Sequence, residues 1–472
     1  MNYTLKIEND YSQLITEDSA LKTKLWQTLR IRPKNYFHNP AYQKKVWDGY
    51  VDFFKLNTGK FLTGLLPDIK NYLDALKIEC AIMDSRTKPI WNQDGIDKHF
   101  LNTKTKKIEL YDYQVASVNH IIKWGRGIVQ LPTAAGKTNI LISALKLIPP
   151  KTPVLFITKN KGLVNQNYKN MIEWGIPNVG RWYDKYKELN YIMCCTAHKD
   201  TFKSLEKLLP LFKAVFVDEV HGCMSKLCEK LYPKLTNAVV RIGISATPFK
   251  FDGKDKEHKY KVKGHFGPVF KTGEDNQVIT TSKLQDRGML SKSSGIFYNI
   301  YVPTTIKHEP YLDAVTMGIA ENLEFLNIVK RLAGTLSGRT LILVERKAQG
   351  EFLKQLIPHA QWIQGKDKLS VREEVFESLR SDTNAVAIAT RHIISDGIDV
   401  FIHNLINASG GQAEHSVVQQ MGRGLRKAGD KVALKYFDFV FKTNDYLEDH
   451  SENRIKMLTK EKHDIVVKDI DF

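Results

Sequence analysis

The amino-acid sequence predicts an α/β protein in which parallel-sheet strands alternate with helices twice along the chain, after a smaller α+β region. Three features carry that prediction. Short apolar runs rich in β-branched residues recur from residue 127 onward, most of them leading into helix-like segments, as strands buried on both faces of a sheet should. The first, 127–131, leads through Leu131-Pro132-Thr133-Ala134-Ala135-Gly136-Lys137-Thr138 into an apolar-periodic segment at 140–148. The alternation then starts again near residue 340.

At 472 residues the chain is long enough for two or three domains, each with its own core. A hydrophobic content of 42% with 26% charged residues describes a soluble globular chain. The net charge of +18 points to a polyanionic partner, because counterion release drives Lys and Arg onto phosphate backbones. A merely basic soluble protein is the alternative that composition leaves open. No apolar run approaches the roughly 18 residues that span a bilayer, and Met1-Asn2-Tyr3-Thr4 does not begin a signal peptide. The five cysteines, Cys80, Cys194, Cys195, Cys223 and Cys228, include no Cys-x-x-Cys pair. That set indicates a reducing compartment and no zinc framework. A cytoplasmic protein without membrane contact is expected.

Residues 1–100 have their own texture. Short amphipathic runs alternate with turns at Asn57-Thr58-Gly59 and Leu66-Pro67-Asp68, and 69–77 is helix-like. Lys22, Lys24, Arg30, Arg32, Lys34, Lys44, Lys45, Lys55 and Lys60 are interleaved with Trp26, Tyr36, Phe37, Tyr42 and Trp47. Cations suit phosphates and flat rings suit bases, so the region reads as an accessory nucleic-acid-binding domain. Aromatics as core and lysines as solvated surface is the other reading. In Trp47-Asp48-Gly49 the glycine suggests a turn with positive φ, braced by the Asp48 side chain. Trp47 is then either a buried anchor or a ring presented to unpaired bases. Residues 84–107 read as a linker.

Leu110-Tyr111-Asp112-Tyr113-Gln114 precedes a helical stretch at 116–124. A glutamine there can pair bidentately with adenine, and Tyr111 or Tyr113 can stack on the base. In the loop at 131–138, backbone N–H groups and a helix N-terminus can wrap a polyphosphate. Lys137 would reach the β- and γ-phosphates and Thr138 would ligate Mg²⁺. Leu131 stands where the usual first glycine belongs. A strand at 154–158 leads into Lys159-Asn160-Lys161-Gly162 and a helix carrying Gln166, and a strand at 191–195 ends at Thr196. Cys194 and Cys195 read as strand packing. The strand at 214–217 runs into Asp218-Glu219-Val220-His221. Asp218 would hold the metal, Glu219 would orient and deprotonate water, and His221 would couple the site to a neighbouring loop. The strand at 239–244 closes on Ser245-Ala246-Thr247.

The basic segment 250–263 reads as a turn-rich loop, solvated or touching nucleic acid. Residues 291–320 read as a crossing between domains. A strand at 340–344 then ends at Glu345-Arg346-Lys347, with further strands at 362–365, 385–390 and 405–408; Ser395-Asp396-Gly397-Ile398-Asp399 follows the third of these four. Gln419-Gln420-Met421-Gly422-Arg423-Gly424-Leu425-Arg426 sits on a predicted helix, where Arg423 and Arg426 share a face. Two guanidiniums aimed together can neutralise a transferring phosphoryl group; a basic surface helix is the alternative for that motif alone.

In this order the motifs resemble those of the superfamily 2 DExH helicases, over nearly all of 110–426. Chance does not produce six such motifs in sequence. The resemblance implies two tandem RecA-like parallel-sheet domains, at 101–300 and 301–472, behind a small N-terminal α+β domain at 1–100. ATP with Mg²⁺ would lie between the RecA-like domains. It implies nucleotide contacts from Tyr113, Gln114, Pro132, Thr133, Ala134, Ala135, Gly136, Lys137 and Thr138, with Gly397 and Asp399 toward the ribose. Arg423 and Arg426 would be arginine fingers, and Gln419 would contact the γ-phosphate or the attacking water. His221, Ser245 and Thr247 would couple hydrolysis to domain closure. Lys159, Thr196, Arg346 and Thr390 would contact DNA, joined by Trp47, Lys44 and Lys45. Two positions depart from the family pattern. Thr158-Lys159-Asn160-Lys161 replaces a frequent Pro-Thr, and Ala134 replaces a frequent glycine, which is tolerable if φ stays negative there.

Phe37-His38-Asn39-Pro40, Val46-Trp47-Asp48-Gly49 and Thr281-Ser282-Lys283-Leu284-Gln285-Asp286-Arg287-Gly288 further resemble the phage UvsW-type recombination helicases. The function this implies is an ATP-dependent DNA helicase remodelling branched DNA in phage recombination, repair and replication. RNA in hybrids is a further expected substrate, and the expected state is a monomer in the host cytoplasm. A double-stranded DNA translocase, or a nucleotide-switched nucleic-acid-binding ATPase that separates no strands, is the alternative.

Overall fold

Every apolar run read as a strand after residue 127 lies in one of two seven-stranded sheets. The structure is a computed structural model, and it describes all residues except 1, 90, 103–106, 250–252, 254, 274–275, 291, 303, 392, 394–401, 412–432, 461–462 and 472. The described residues form two compact units, 1–131 with 136–279, and 132–135 with 280–472.

The N-terminal part of the first unit is a four-stranded sheet in the order Lys60–Leu62, Tyr11–Ile15, Thr4–Ile7, Ala81–Asp84. Helices Ser19–Thr28 and Leu66–Ala75 belong to this α+β part, and Leu5, Leu14, Leu25, Phe54, Phe61 and Ile69 form its core. The first helix starts where the Asp18 side chain accepts a bond from the Leu21 N–H, 2.8 Å away. Leu66-Pro67-Asp68 is not a turn, as its Pro and Asp suggested, but the first turn of the helix Leu66–Ala75. Proline is tolerated there because the first helical N–H groups have no partner within the helix, and an acid in that turn complements the helix dipole.

The larger sheet of the first unit has the order Tyr186–Lys187, Val179–Tyr183, Ile192–Thr196, Val154–Thr158, Ala214–Asp218, Val240–Ser245, Arg126–Gln130. Its pairings are parallel except at the Tyr186–Lys187 edge. Register places Asp218 beside Ile244 and Ser245 beside Gln130, so three motif-bearing strand ends lie side by side. Residues 84–107 are not a free linker. The Trp91 indole donates to the Ile122 carbonyl, the Asn92 N–H to the Leu147 carbonyl, and Leu101 is buried. The segment 250–263 is likewise no simple loop: Lys256–Phe266 is a helix, capped by Asp255 and burying His258, Val262, His265 and Phe266. A high lysine count hid that inward stripe.

The second unit has a seven-stranded, all-parallel sheet in the order Gln361–Ile363, Val386–Thr390, Thr340–Val344, Asn404–Asn407, Ala433–Lys442, Lys292–Tyr301, Asp464–Lys468. Residues 292–301 are thus an interior strand and not the crossing that their polar start suggested. Ala433–Lys442 pairs with all ten of its residues, which satisfies the backbone of Ser293, Ser294 and Asn299 regardless of side-chain polarity. Helix Asp445–Lys460 places Arg454, wholly buried, against Asp438 at 2.8 and 2.9 Å.

Two buried histidines give the fold an acid limit. Burial pushes His265 down to about 3 and His463 down to about 4. Both depressed values lie below the unfolded value near 6.5, so protonation favours the unfolded chain as pH falls from about 6.5 toward 4. Each histidine should remove up to about 1.4 kcal/mol of stability per pH unit across that window. Urea midpoints measured from pH 7.5 to 4.5 should fall steadily below pH 6.5; a flat profile would contradict these burials.

Candidate nucleotide site

The phosphate-loop motif folds as strand Arg126–Gln130, loop, and helix Lys137–Leu147. Gly136 has φ 77, and a Cβ there would lie 2.2 Å from Gln114 Nε2, so only glycine closes the loop on that side chain. Ala134 has φ 66, contrary to the expectation of a negative value. The loop reverses at both positions, and alanine carries the strain, on the order of 1 kcal/mol, that glycine would not. Lys137 Nζ and Thr133 Oγ1 are buried with no hydrogen-bond partner. Unsatisfied buried donors cost about 1–3 kcal/mol each, and a phosphate oxygen is an acceptor that suits the Lys137 ammonium.

Opposite the lysine, strand Ala214–Asp218 ends in two carboxylates. Glu219 adopts φ 49, a left-handed conformation that is strained for a glutamate and characteristic of functional turns. Its Oε1 lies 3.8 Å from Lys137 Nζ. Its Oε2 accepts from Ser245 Oγ at 3.0 Å and lies 3.4 Å from His221 Nδ1. Ser245 Oγ is also 3.0 Å from His221 Nδ1 and 3.2 Å from the Thr247 N–H. A hydroxyl has one proton, and with that proton on Glu219, His221 Nδ1 must carry a hydrogen. Burial holds His221 near 4, despite the opposing Glu219 charge, so the ring is neutral at physiological pH. Asp218 is pushed above the usual carboxylate range, first by burial and then by the Glu219 charge, with Lys137 opposing. Its Oδ1 accepts the Glu219 N–H at 3.0 Å.

Other expected residues fall in varied places. Gln114 is buried on helix Asp112–Trp124, and its Oε1 accepts the Tyr111 N–H at 3.0 Å. Tyr113 is 1% exposed, so its ring cannot stack on a base without leaving the core; Tyr111, at 43%, is the presented ring. Thr138 occupies the first turn of its helix, and Pro132 and Ala135 close the loop through an Ala135 N–H to Pro132 carbonyl bond of 3.2 Å. Lys159 is exposed at a strand end, and Asn160 after it caps the helix Lys161–Glu173 through the Leu163 N–H. That cap is what the departure from Pro-Thr provides. Thr196 is buried with its hydroxyl 2.9 Å from Thr201 Oγ1, so it presents no side chain at the surface. Arg346 is exposed, Thr390 half-buried, Lys44 and Lys45 exposed, and Trp47 half-buried with Nε1 donating to the Tyr50 carbonyl at 2.7 Å. Gly49 has the expected positive φ, 84, and Asp48 Oδ1 braces the turn by accepting the Tyr50 N–H at 3.0 Å. Gly397, Asp399, Gln419, Arg423 and Arg426 lie outside the described residues.

Sequence reading missed two contributors. Asn167 donates a side-chain hydrogen bond to Asp218; its spacing of four from Leu163 was the available signal, and Gln166 drew attention instead. His258 Nε2 donates to the His221 carbonyl at 3.1 Å from a helix read as a loop.

Tandem parallel sheets, with a lysine loop and an acid pair at neighbouring strand ends of the first, are the arrangement a helicase-type ATPase of superfamily 2 would need, and the chain is similar to proteins of that kind. Residues 107–250 match the family model described as type III restriction enzyme, res subunit. The chain is 23% identical to ATP-dependent DNA helicase uvsW of Enterobacteria phage T4, across 93% of each chain. It is 24% identical to DNA 3'-5' translocase XPB2 of Sulfurisphaera tokodaii, across 72% of this chain and 83% of that one. The ATP-dependent type ISP restriction-modification enzyme LlaBIII, solved bound to DNA, shares the fold over 86% of this chain and 34% of its own, with 12% identity and a TM-score of 0.55. Among the described residues no helix is long and apolar enough to cross a membrane.

Proposed function

We propose that the protein is an ATP-dependent DNA helicase that remodels branched DNA, by migrating branches, regressing forks or unwinding R-loops in phage recombination, repair and replication. The observation that carries this reading is the similarity to a DNA helicase over 93% of both chains, held together with the lysine–acid site. In this reading Lys137 and the loop N–H groups bind the ATP phosphates, and Tyr111 and Gln114 meet the adenine. Thr138 and Asp218 would hold Mg²⁺, which when bound supplies neutralisation of phosphate charge. Glu219 takes the proton of the attacking water, aimed by Ser245 and the neutral His221. Thr247 and Ser245 pass the state of that carboxylate to the backbone. Arg423 and Arg426 act as fingers, Gln419 contacts the γ-phosphate or the water, and Gly397 and Asp399 face the ribose. Lys159, Arg346 and Thr390 are DNA-backbone contacts, as are Lys44 and Lys45, with Thr196 acting through its main chain. RNA enters as a hybrid strand, and the protein works as a monomer in the host cytoplasm.

A second reading, translocation on duplex DNA without strand separation, is favoured by the likeness to a protein named a translocase. One assay decides among them: ATP-dependent strand separation on a four-way junction, a fork, an R-loop and a tailed duplex, beside triplex displacement on intact duplex. Faster separation of the branched forms than of the tailed duplex is expected. Triplex displacement without separation would replace helicase by translocase, and hydrolysis without either would leave a nucleotide-switched binding protein.

A further inference from the structure

The turn after helix Pro40–Gln43 presents an apolar side chain where solvent would favour a polar one. Lys45 has φ 55, and Val46 stands out at 78% exposure. The turn is braced, not loose. The Lys45, Val46 and Trp47 N–H groups bond to the carbonyls of Tyr42, Ala41 and Ala41 at 2.9, 3.0 and 3.2 Å. At Gly49 a Cβ would lie 2.9 Å from the Tyr36 ring, which seats the far side of the turn.

Beside Val46 opens a groove of about 1150 Å³, lined in part by Phe37, Tyr42, Trp47, Tyr50, Lys45 and Lys55. Two of its rings, Tyr50 and Tyr42, are held in place by neighbours behind the groove. The Arg30 guanidinium lies 4.3 Å from the Trp26 ring and 4.1 Å from Tyr50; that of Arg32 lies 4.2 Å from Tyr50 and 4.7 Å from Tyr36. Tyr36 in turn meets Tyr42 edge-on at 4.7 Å. The groove also has two acids, Asp48 and Asp52, and both are paired with Arg30. The exposed Lys44, Lys45 and Lys55 therefore leave the rim positive, complementary to a phosphate backbone and not to another basic surface.

We infer that Lys44-Lys45-Val46-Trp47 is a strand-separating wedge: Val46 inserts at the junction of duplex and single strand, and the ring-lined groove receives the unpaired nucleotide. This rests on the DNA-helicase reading above. Apolar side chains inserted between base steps cost the DNA a few kcal/mol of stacking, and stacking on aromatic rings returns about 1–3 kcal/mol per base. The lysines on either side of the tip hold the backbone while this exchange occurs.

The test uses the full chain and a fork with 2-aminopurine at the junction. Binding of the unsubstituted protein, without ATP, should raise 2-aminopurine fluorescence as the base unstacks. Val46→Ser should abolish that rise and slow fork separation by about tenfold or more, with unchanged melting temperature and unchanged ATPase on single-stranded DNA. Val46→Met should restore both signals. Absence of the fluorescence rise in the unsubstituted protein, or an undiminished rise in Val46→Ser, overturns the wedge. A rise that depends on Val46 without any ATP-driven separation keeps the wedge and removes the helicase reading. Displacement of the fork by an acidic peptide with no change at 2-aminopurine assigns the groove to a protein partner instead.

Discussion

Replacing Glu219 by Gln should leave ATP binding near normal and lower steady-state hydrolysis by about 10²–10⁴, the usual contribution of a general base. The amide keeps the shape that Ser245 and His221 hold at 3.0 and 3.4 Å but cannot take a proton from water. Lys137→Ala should lose binding and turnover together, because its buried ammonium has no protein hydrogen bond to lose and a phosphate to gain. The measurements are fluorescent-nucleotide binding and DNA-stimulated phosphate release. Turnover near wild type in Glu219→Gln would remove this carboxylate from the chemistry.

Asp10→Ala should destabilise the first unit by about 3–5 kcal/mol, the cost of leaving a buried ion without its partner. Asp10 pairs with Arg241, which is 2% exposed and whose remaining donors reach the carbonyls of Tyr232, Leu235 and Ala238. Neighbouring Arg126 donates to the carbonyls of Asn9 and, at 2.7 Å, His265. Arg126 is the first residue of the strand that leads into the loop at 131–138, and Arg241 the second residue of the strand that ends at Ser245. The N-terminal part therefore completes the base of the larger sheet of this unit, and removing residues 1–100 would take away the Asp10 carboxylate from Arg241 and the Asn9 carbonyl from Arg126. Urea unfolding followed by tryptophan fluorescence checks this. A loss below about 0.5 kcal/mol, within the range of ordinary surface substitutions, would show that solvent readily replaces Asp10.

How far the chain could be read from its residues differed by element. Val154–Thr158, Ala214–Asp218 and Thr340–Val344 were placed within a residue of their ends, because strands buried on both faces leave continuous apolar runs. Lys292–Tyr301 and Lys256–Phe266 were misread. Each buries one face only, and their lysines, serines and asparagine answer to solvent or to the ladder, so polarity concealed the period. The strands of the N-terminal sheet, three to five residues each, are too short for alternation to stand out from chance.

At the candidate site, the residues proposed to carry the chemistry lie in short local stretches: Gly-Lys-Thr after a strand, Asp-Glu-x-His at the end of another, and Ser-Ala-Thr beyond a third. Local order was enough there, because a parallel sheet brings successive strand ends to one edge whatever lies between. Only the tertiary structure decided what each group faces. Long-range packing determined that Ser245 Oγ joins Glu219 to His221, that Asn167 and not Gln166 meets Asp218, and that Tyr113 is core while Tyr111 is surface. It also decided that Asp10 closes a charge 231 residues away. Such pairings depend on burial, which strengthens every unscreened charge and hydrogen bond, and burial is a property of the folded whole that no local stretch encodes.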